Sequence, residues 1–418
     1  MSHLPRNEDK PQITGFAATS SGTLAVLTAT GLSALNTVVS ARVLSLNGRG
    51  TLVAAYTCIN LCVVAGGLSL DSSAMYFLGK HAANQLGVAR RLQEIAFLGA
   101  LITVLGGSAV VVVFTHGRLP FKAVILMCVL SSTQVMGGVV LAQLRISGHL
   151  HASAWWSSSM LASGQTAGIV AMLITRSVSD ILIVMSFGSM LPWFWIVWRN
   201  FQGKVGRITA PVTPLESRRE MVGYALKAHP GAVIYALFSR VPLLALSLVS
   251  TAAAVSILSI GTSIAELGLV VSQGMLSWVL SAAGNEPHNY SILRRALWVD
   301  LTITVLLSAL LASGSIFAVP IILGQAYHVS GVLVVVLAPG VVVLALWRIA
   351  AYDLAVRGYP WPRTVSAVLG VASSIPLSLL LSIGFGCTGA AVAYSLGAFV
   401  LGGTLFYYPG HAQRMLRT

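Results

Sequence analysis

The chain has 418 residues, of which 56% are hydrophobic and only 9% are charged, whereas about a quarter of the residues of a typical soluble domain are charged. This composition excludes an ordinary water-soluble globular domain. The formal net charge is +14, but the basic residues are scattered between apolar runs instead of clustering on one face, so we expect no nucleic-acid binding.

Twelve apolar segments follow one another along the chain, each long enough to cross the hydrocarbon core of a membrane, which takes about 20 residues per helix. The first six cover residues 15–40, 51–77, 95–114, 123–143, 154–175 and 179–198. The second six cover residues 228–250, 253–280, 296–318, 330–352, 364–385 and 387–407. The sequence therefore predicts an all-α polytopic membrane protein of about twelve transmembrane helices.

Polar segments divide these helices into two halves. Residues 1–14 and 409–418 form polar tails, and the basic linker 199–227 separates the sixth apolar run from the seventh. We therefore predict an N-terminal six-helix bundle over residues 15–198 and a C-terminal six-helix bundle over residues 228–408. Two such halves with a substrate site between them are the usual architecture of secondary transporters.

The basic residues also predict the orientation of the helices. With the N-terminus in the cytoplasm, five basic residues fall in the outer connections, namely Arg42, Arg49, Arg118, Lys122 and Arg176. The others fall in cytoplasmic segments, apart from Arg240 inside the seventh span, as the positive-inside rule requires. We therefore expect a multi-pass protein of the cell inner (plasma) membrane with both termini in the cytoplasm.

Sequence motifs for covalent chemistry are missing. The chain has no P-loop, no Gly-x-Ser-x-Gly motif and no His/Cys cluster at metal-ligand spacing, and its connections are too short for a catalytic domain. The four cysteines fall within apolar runs, which favours packing over disulfides or a metal site. We expect a transporter with no catalytic residue, cofactor or metal, driven by a proton or sodium gradient or by the membrane potential.

Two ionisable residues lie at membrane depth, where a charged side chain costs about 2.5–3.5 kcal/mol on insertion scales and needs a partner, a water-filled cavity or a function. Arg240 in the seventh span and Glu266 in the eighth lie about 15 and 18 Å from the turn between them, at 1.5 Å per residue. A structural salt bridge and a cavity-lining pair that binds substrate or a coupling ion both remain open. Arg240 has the planar, forked donors that suit phosphate oxygens.

Other charged residues lie nearer the predicted membrane surfaces. Arg42 and Arg49 flank the first outer turn, either as solvated turn residues or as groups that receive an anionic headgroup at the outer rim. Asp71 and Asp300 lie near the cytoplasmic interface, where helix capping or snorkelling explains them. Arg348 is interpreted as an anchor whose long stem reaches the lipid headgroups. Asp71 is kept with the two arginines as a secondary site candidate.

Four stretches, residues 41–80, 237–275, 323–361 and 382–397, resemble the multidrug/oligosaccharidyl-lipid/polysaccharide (MOP) exporter superfamily, in particular its Wzx-like polysaccharide-biosynthesis flippases. Arg240 stands where the seventh-helix motif of these flippases has an arginine, and Glu266 where their eighth helix has an acidic residue. Pro242 departs from the pattern, because the family often has an acidic residue there.

The resemblance implies two six-helix bundles in a MATE-like V around a cationic cavity. It also implies a flippase that moves a polyprenyl-diphosphate-linked oligosaccharide from the cytoplasmic to the outer leaflet, by alternating access, for cell-surface polysaccharide assembly. The implied partners are this substrate, membrane lipids and polysaccharide-assembly proteins. The chain is expected to work as a monomer, because it holds both bundles.

Two other functions remain open. An ion-coupled multidrug or organic-cation antiporter of the same superfamily needs carboxylates at membrane depth to bind its cargo. A polytopic membrane glycan polymerase or glycosyltransferase, from a different class, needs a sizeable extramembrane loop, and the predicted outer loops are short. The charge of the central cavity therefore separates the flippase from the antiporter.

Overall fold

A computed structural model describes residues 15–67, 85–146, 150–201, 218–270, 272, 290–356 and 361–406. The first half of these residues forms α1 (Gly15–Val43), α2 (Leu46–Gly66), α3 (Gln85–Phe114), α4 (Phe121–Ile146), α5 (Leu150–Ile174) and α6 (Val178–Phe201). The second half forms α7 (Arg218–Phe238), α8 (Val241–Val249), α9 (Ala252–Glu266), α10 (Tyr290–Ile322), α11 (His328–Val356) and α12 (Trp361–Phe406). The predicted all-α fold class is confirmed.

Nine helices in the described ranges are long and apolar enough to cross a membrane, and α7 with α8 form a tenth, bent candidate. The surface agrees with a lipid environment. Large apolar side chains such as Ile174, Phe317 and Ile321 are 81%, 71% and 75% exposed. Contact with water would destabilise the folded protein by about 25 cal/mol per Å² of this apolar surface. Contact with lipid tails has no such cost, because the tails are themselves apolar. The chain is a multi-pass membrane protein.

The 46-residue helix α12 consists of two antiparallel spans. Gly386 leaves the helical conformation at φ 57° and ψ −133°, a backbone region that L-residues with a side chain rarely adopt. A Cβ on Gly389 would collide with the carbonyl of Leu381, and a Cβ on Gly397 would lie 3.1 Å from Ser374 Cβ. These contacts pair later residues with earlier ones, so Gly386 is the tip of a hairpin at the boundary predicted between the last two spans.

Each half of the chain has its own apolar core. One cluster of buried side chains extends from Phe238 to Leu405, and a second extends from Leu44 to Met185 with Leu244 as its only buried member from the other half. The largest buried side chains include Trp347 in the first cluster and Met127 in the second. We call α1–α6 the N-terminal half and α7–α12 the C-terminal half; a further buried cluster, which includes Ala41 and Ile260, joins them.

Six short connections lie at one end of the molecule, because consecutive helices run in opposite directions. They are residues 44–45, 115–120, 175–177, 250–251, 323–327 and 386. We call this end the turn face. It is the end that the distribution of basic residues predicts to be outside the cell.

Candidate functional site

The seventh span is broken at the predicted site. Helix α7 ends at Phe238, α8 begins at Val241, and the two are bent by 53°. Pro242 lies in the first turn of α8, where its missing N–H is tolerated, whereas its ring would clash with a helix that continued from α7. Arg240 is the N-cap residue of α8. The structure thus differs from the continuous span predicted over residues 228–250, and the break places Arg240 at a helix end between α7 and α8.

Glu266, the last residue of α9, faces Arg240 at this break. Arg240 Nη2 lies 3.5 Å from Glu266 Oε2, and the two side chains are 37% and 25% exposed. A charge-assisted hydrogen bond normally measures about 2.7–2.9 Å, so this ion pair is loose. The geometry leaves Arg240 attracted to Glu266 but with donors available to another anion.

Three tyrosines lie close enough to Arg240 to influence its charge. Tyr56 of α2, Tyr235 of α7 and Tyr394 of α12 all interact electrostatically with it. The Tyr394 hydroxyl is buried and has no hydrogen-bond partner among the described residues. Because Tyr56 belongs to the N-terminal half, the site lies where the two halves meet. The site therefore combines a cation with the phenol groups of three tyrosines.

A second arginine lies within the C-terminal half. Arg348 Nη2 donates a hydrogen bond of 2.9 Å to the Tyr235 hydroxyl, and its Cζ lies 5.9 Å from the centre of the Tyr235 ring. Tyr235 in turn stacks on Trp347 with 4.7 Å between ring centres. The structure therefore directs Arg348 toward an aromatic partner on α7, which differs from the headgroup anchor inferred from the sequence.

Arg49 connects the two halves at the turn face. It is only 2% exposed. Its Nη1 donates to the carbonyl of Ser256 at 2.7 Å and to Ser259 Oγ at 2.6 Å, both on α9, and its Nε donates to Ser40 Oγ at 3.2 Å. The guanidinium Cζ also lies 6.0 Å from the Tyr327 ring centre. Arg49 is therefore not a solvated turn residue.

Two further residues of the N-terminal half reach across the turn face. Arg42 is exposed, and its Nε and Nη2 donate to the carbonyls of Ile322 and Ile321 at 2.6 and 3.0 Å. These are unpaired carbonyls at the end of α10, where a cation also complements the helix dipole. His116 Nε2 lies 2.9 Å from the carbonyl of Ser247. The two halves are thus joined at this end.

The remaining acidic candidates have different outcomes. Asp71 lies outside the described residues. Asp300 is fully buried in α10, with Ser272 Oγ donating to both of its carboxylate oxygens at 2.9 and 3.1 Å, so it neither caps a helix nor snorkels as expected. The sequence does contain a pattern that could have indicated this buried position. Polar residues recur once per helical turn on one face of α10, at Asp300, Thr304 and Ser308. Among the described residues, no group of His, Cys, Asp and Glu could hold a metal ion.

Solved structures of known transporters share this fold. The chain matches the lipid II flippase MurJ in an inward closed conformation with a TM-score of 0.73 and 13% identity, over 95% of this chain and 89% of that one. It matches the Vibrio cholerae MATE transporter VcmN with a TM-score of 0.68 and 12% identity, over 96% and 95% of the two chains. No protein-family model and no curated protein matches it.

A third match is a MOP superfamily transporter from Pyrococcus furiosus, with a TM-score of 0.67 and 11% identity over 96% of both chains. That protein is described as having a binding pocket of reverse polarity that suggests a different function. At such low identity these matches show the fold alone. The chain has the fold of the MOP superfamily transporters.

Proposed function

We propose that this protein is a flippase that moves a polyprenyl-diphosphate-linked oligosaccharide from the cytoplasmic to the outer leaflet. The observation that carries the proposal is Arg240, a partly exposed cation at membrane depth whose ion pair with Glu266 is 3.5 Å long. A diphosphate and its sugars cannot enter hydrocarbon, where polar groups are left without partners, whereas the prenyl tail can remain in lipid. The cation supplies the anchor that the diphosphate needs inside the membrane.

The broken seventh span strengthens the attraction for an anion. Helix α8 begins at Val241, so the positive end of its dipole lies beside Arg240. Transporters place such half-helix N-termini near anionic substrate groups at the membrane midplane. A diphosphate competes with Glu266 for the guanidinium, and its arrival releases Glu266. Because the ion pair joins the seventh span to the eighth, substrate binding would weaken the contact between these two spans.

Alternating access follows from the way in which the halves meet. The turn face is held by Arg42, Arg49 and His116, so the substrate cannot leave there until these contacts separate. The proposal includes the two bundles over residues 15–198 and 228–408, cytoplasmic termini, a location in the inner (plasma) membrane, a monomeric transporter and polysaccharide-assembly proteins as partners. A proton or sodium gradient or the membrane potential drives the cycle.

An antiporter of organic cations is the second candidate, and the charges that the structure describes disfavour it. Its cargo needs an accessible carboxylate at membrane depth. Glu266 is paired with Arg240, and Asp300 is fully buried. A glycan polymerase or glycosyltransferase is disfavoured because the described connections of the turn face have at most six residues.

The test is translocation of a fluorescent polyprenyl-diphosphate oligosaccharide in proteoliposomes, read by the access of an added glycosidase to the sugar. Arg240→Ala removes charge-assisted hydrogen bonds of about 1.5–3 kcal/mol each, so we expect the rate to fall about 10- to 100-fold. Arg118→Ala, at an exposed arginine of the turn face, is the matched control and should leave the rate unchanged.

Truncating Arg240 also leaves Glu266 without its partner, and this unpaired acid could itself slow translocation. The double variant Arg240→Gln with Glu266→Gln removes the cation without leaving an unpaired acid, so it measures the effect of the cation alone. The flippase predicts slow translocation by this neutral pair as well. Normal translocation by both Arg240 variants would rule out the anion site. Efflux of a lipophilic cation by the native protein, without translocation of the glycolipid, would favour the antiporter.

A further inference from the structure

Asp300 is a buried carboxylate that does not belong to the proposed substrate site. It is 0% exposed, and Ser272 Oγ of the eighth span donates to both of its oxygens at 2.9 and 3.1 Å. Thr304 Oγ1, one turn later on α10, lies 3.4 Å from Oδ1. The carboxylate therefore has hydroxyl groups as its partners.

The charged groups around Asp300 do not neutralise it directly. Arg348 of α11 acts on it electrostatically, but no Lys or Arg in the described ranges forms an ion pair with it, and Arg348 donates to Tyr235. Glu266 of α9 has Arg240 as its partner. Arg295, on α10 itself, is exposed more than one turn earlier. An ionised carboxylate buried among neutral groups is costly, and such groups usually acquire a cation or a proton.

The eighth span also contacts α10 closely two helical turns beyond this carboxylate. After Glu266 the span tightens into a 3₁₀ segment, Leu267–Leu269, and a Cβ on Gly268 would lie 3.0 Å from Ser308 Oγ. The Ser308 hydroxyl is buried and has no hydrogen-bond partner among the described residues. Asp300 and Ser308 on α10 thus contact Ser272 and Gly268, two residues that follow Glu266 in the eighth span.

We propose that Asp300 is a proton-binding site that couples proton movement to motion of the eighth span. When Asp300 is ionised, the Ser272 hydroxyl donates to both carboxylate oxygens. When Asp300 takes up one proton, one of its oxygens becomes a hydrogen-bond donor, and the Ser272 hydroxyl donates only to the other oxygen. The eighth span thereby loses one of its two hydrogen-bond contacts with the carboxylate. Ser308 then offers a free hydroxyl with which the shifted segment can pair. The coupling role rests on the proposed transport function, whereas proton binding does not.

Geometry favours a proton over a sodium ion. Ser272 Oγ lies within hydrogen-bond distance of both carboxylate oxygens, so a metal ion shared by these oxygens must displace it. Ser308 lies two helical turns from Asp300, about 12 Å along α10, which is too far to ligate the same ion. The described residues therefore offer few immediate oxygen ligands to a cation that prefers a full oxygen shell.

Infrared difference spectroscopy of the full-length protein in liposomes tests proton binding without any substrate, so its result is independent of the flippase proposal. We expect the carbonyl band of a protonated carboxylic acid to disappear as the pH is raised, and to be lost in Asp300→Asn, which keeps the size and the acceptor of the side chain. Asp180→Asn, at an exposed acid of α6, is the control and should keep the band. Ser272→Ala, which retains the carboxylate but removes its donor, should shift the midpoint of the titration.

Three results would overturn the assignment. They are a band that persists in Asp300→Asn, no titrating band in the native protein at any pH, and removal of the band by Na⁺ but not by K⁺ at constant pH. If the site is also coupled to transport, Asp300→Asn abolishes the stimulation of glycolipid translocation by a pH gradient. Translocation that fails in the native protein while the band titrates would reject the flippase and leave the proton site in place.

Discussion

Removal of the Arg49 side chain should open the turn face. Its two shortest bonds, from Nη1 to Ser259 Oγ at 2.6 Å and to the Ser256 carbonyl at 2.7 Å, join α2 to α9. Hydrogen bonds to charged groups contribute about 1.5–3 kcal/mol each, so Arg49→Ala weakens the closed arrangement by about 3–6 kcal/mol. Since 1.4 kcal/mol is a factor of ten, the ratio of closed to open molecules should fall about 10²- to 10⁴-fold.

Distances between spin labels on the two halves measure this shift. The exposed positions Arg176 and Gln325 lie on the turn face in opposite halves, and cysteines placed there in a background without the native cysteines accept the labels. We expect Arg49→Ala to convert a single short distance into a distribution dominated by a longer one. Arg49→Lys, which keeps the charge but loses the fork of donors, should lie between the two.

Arg118→Ala is the matched control, because Arg118 is an exposed arginine on the same face and surface charges contribute little. Its distance distribution should equal that of the parent protein. An unchanged distribution in Arg49→Ala would show that the hydrogen bonds of this buried arginine do not hold the halves together, and the physical argument for closure would be wrong.

Two glycines give further expectations. Gly50→Val should block closure of the turn face, because a side chain there collides with the Ala252 carbonyl; the same label distances should lengthen, whereas Gly31→Ala, with open space around it, should have no effect. Gly386→Ala should destabilise the last helical hairpin by about 1–2 kcal/mol, because its φ is 57° and a left-handed conformation strains any residue with a Cβ. Thermal unfolding in detergent measures the melting temperature of Gly386→Ala against that of the control Gly384→Ala, whose Cβ would meet open space. Equal melting temperatures of the two variants would contradict the predicted backbone strain.

Local patterns predicted much of the architecture. Membrane helices satisfy their own backbone hydrogen bonds, so apolar run length alone indicated the spans. The boundary predicted between the last two spans falls at Gly386, where the structure turns. The depth of Arg240 and Glu266, counted from their common turn, brought the two residues to the same level, and the structure places them 3.5 Å apart. This worked because both residues lie on consecutive antiparallel helices.

Contacts between distant segments could not be predicted in this way. Arg49 has the sequence context of a solvated turn residue, and its acceptors on α9 lie 207 and 210 residues away. The burial of Asp300 depends on the packing of α10 against the eighth span, with Ser272 28 residues earlier. The break at Arg240 had a local signal in Pro242, but membrane helices tolerate proline without breaking, so the signal was ambiguous.

The bonds that close the turn face have a chemical property in common. The acceptors of Arg42, Arg49 and His116 are carbonyl oxygens and serine hydroxyls, none of which ionises between acid and alkaline pH. Among the described residues, closure at this end therefore uses no carboxylate, and the acceptors of its hydrogen bonds carry the same charge at any ordinary pH.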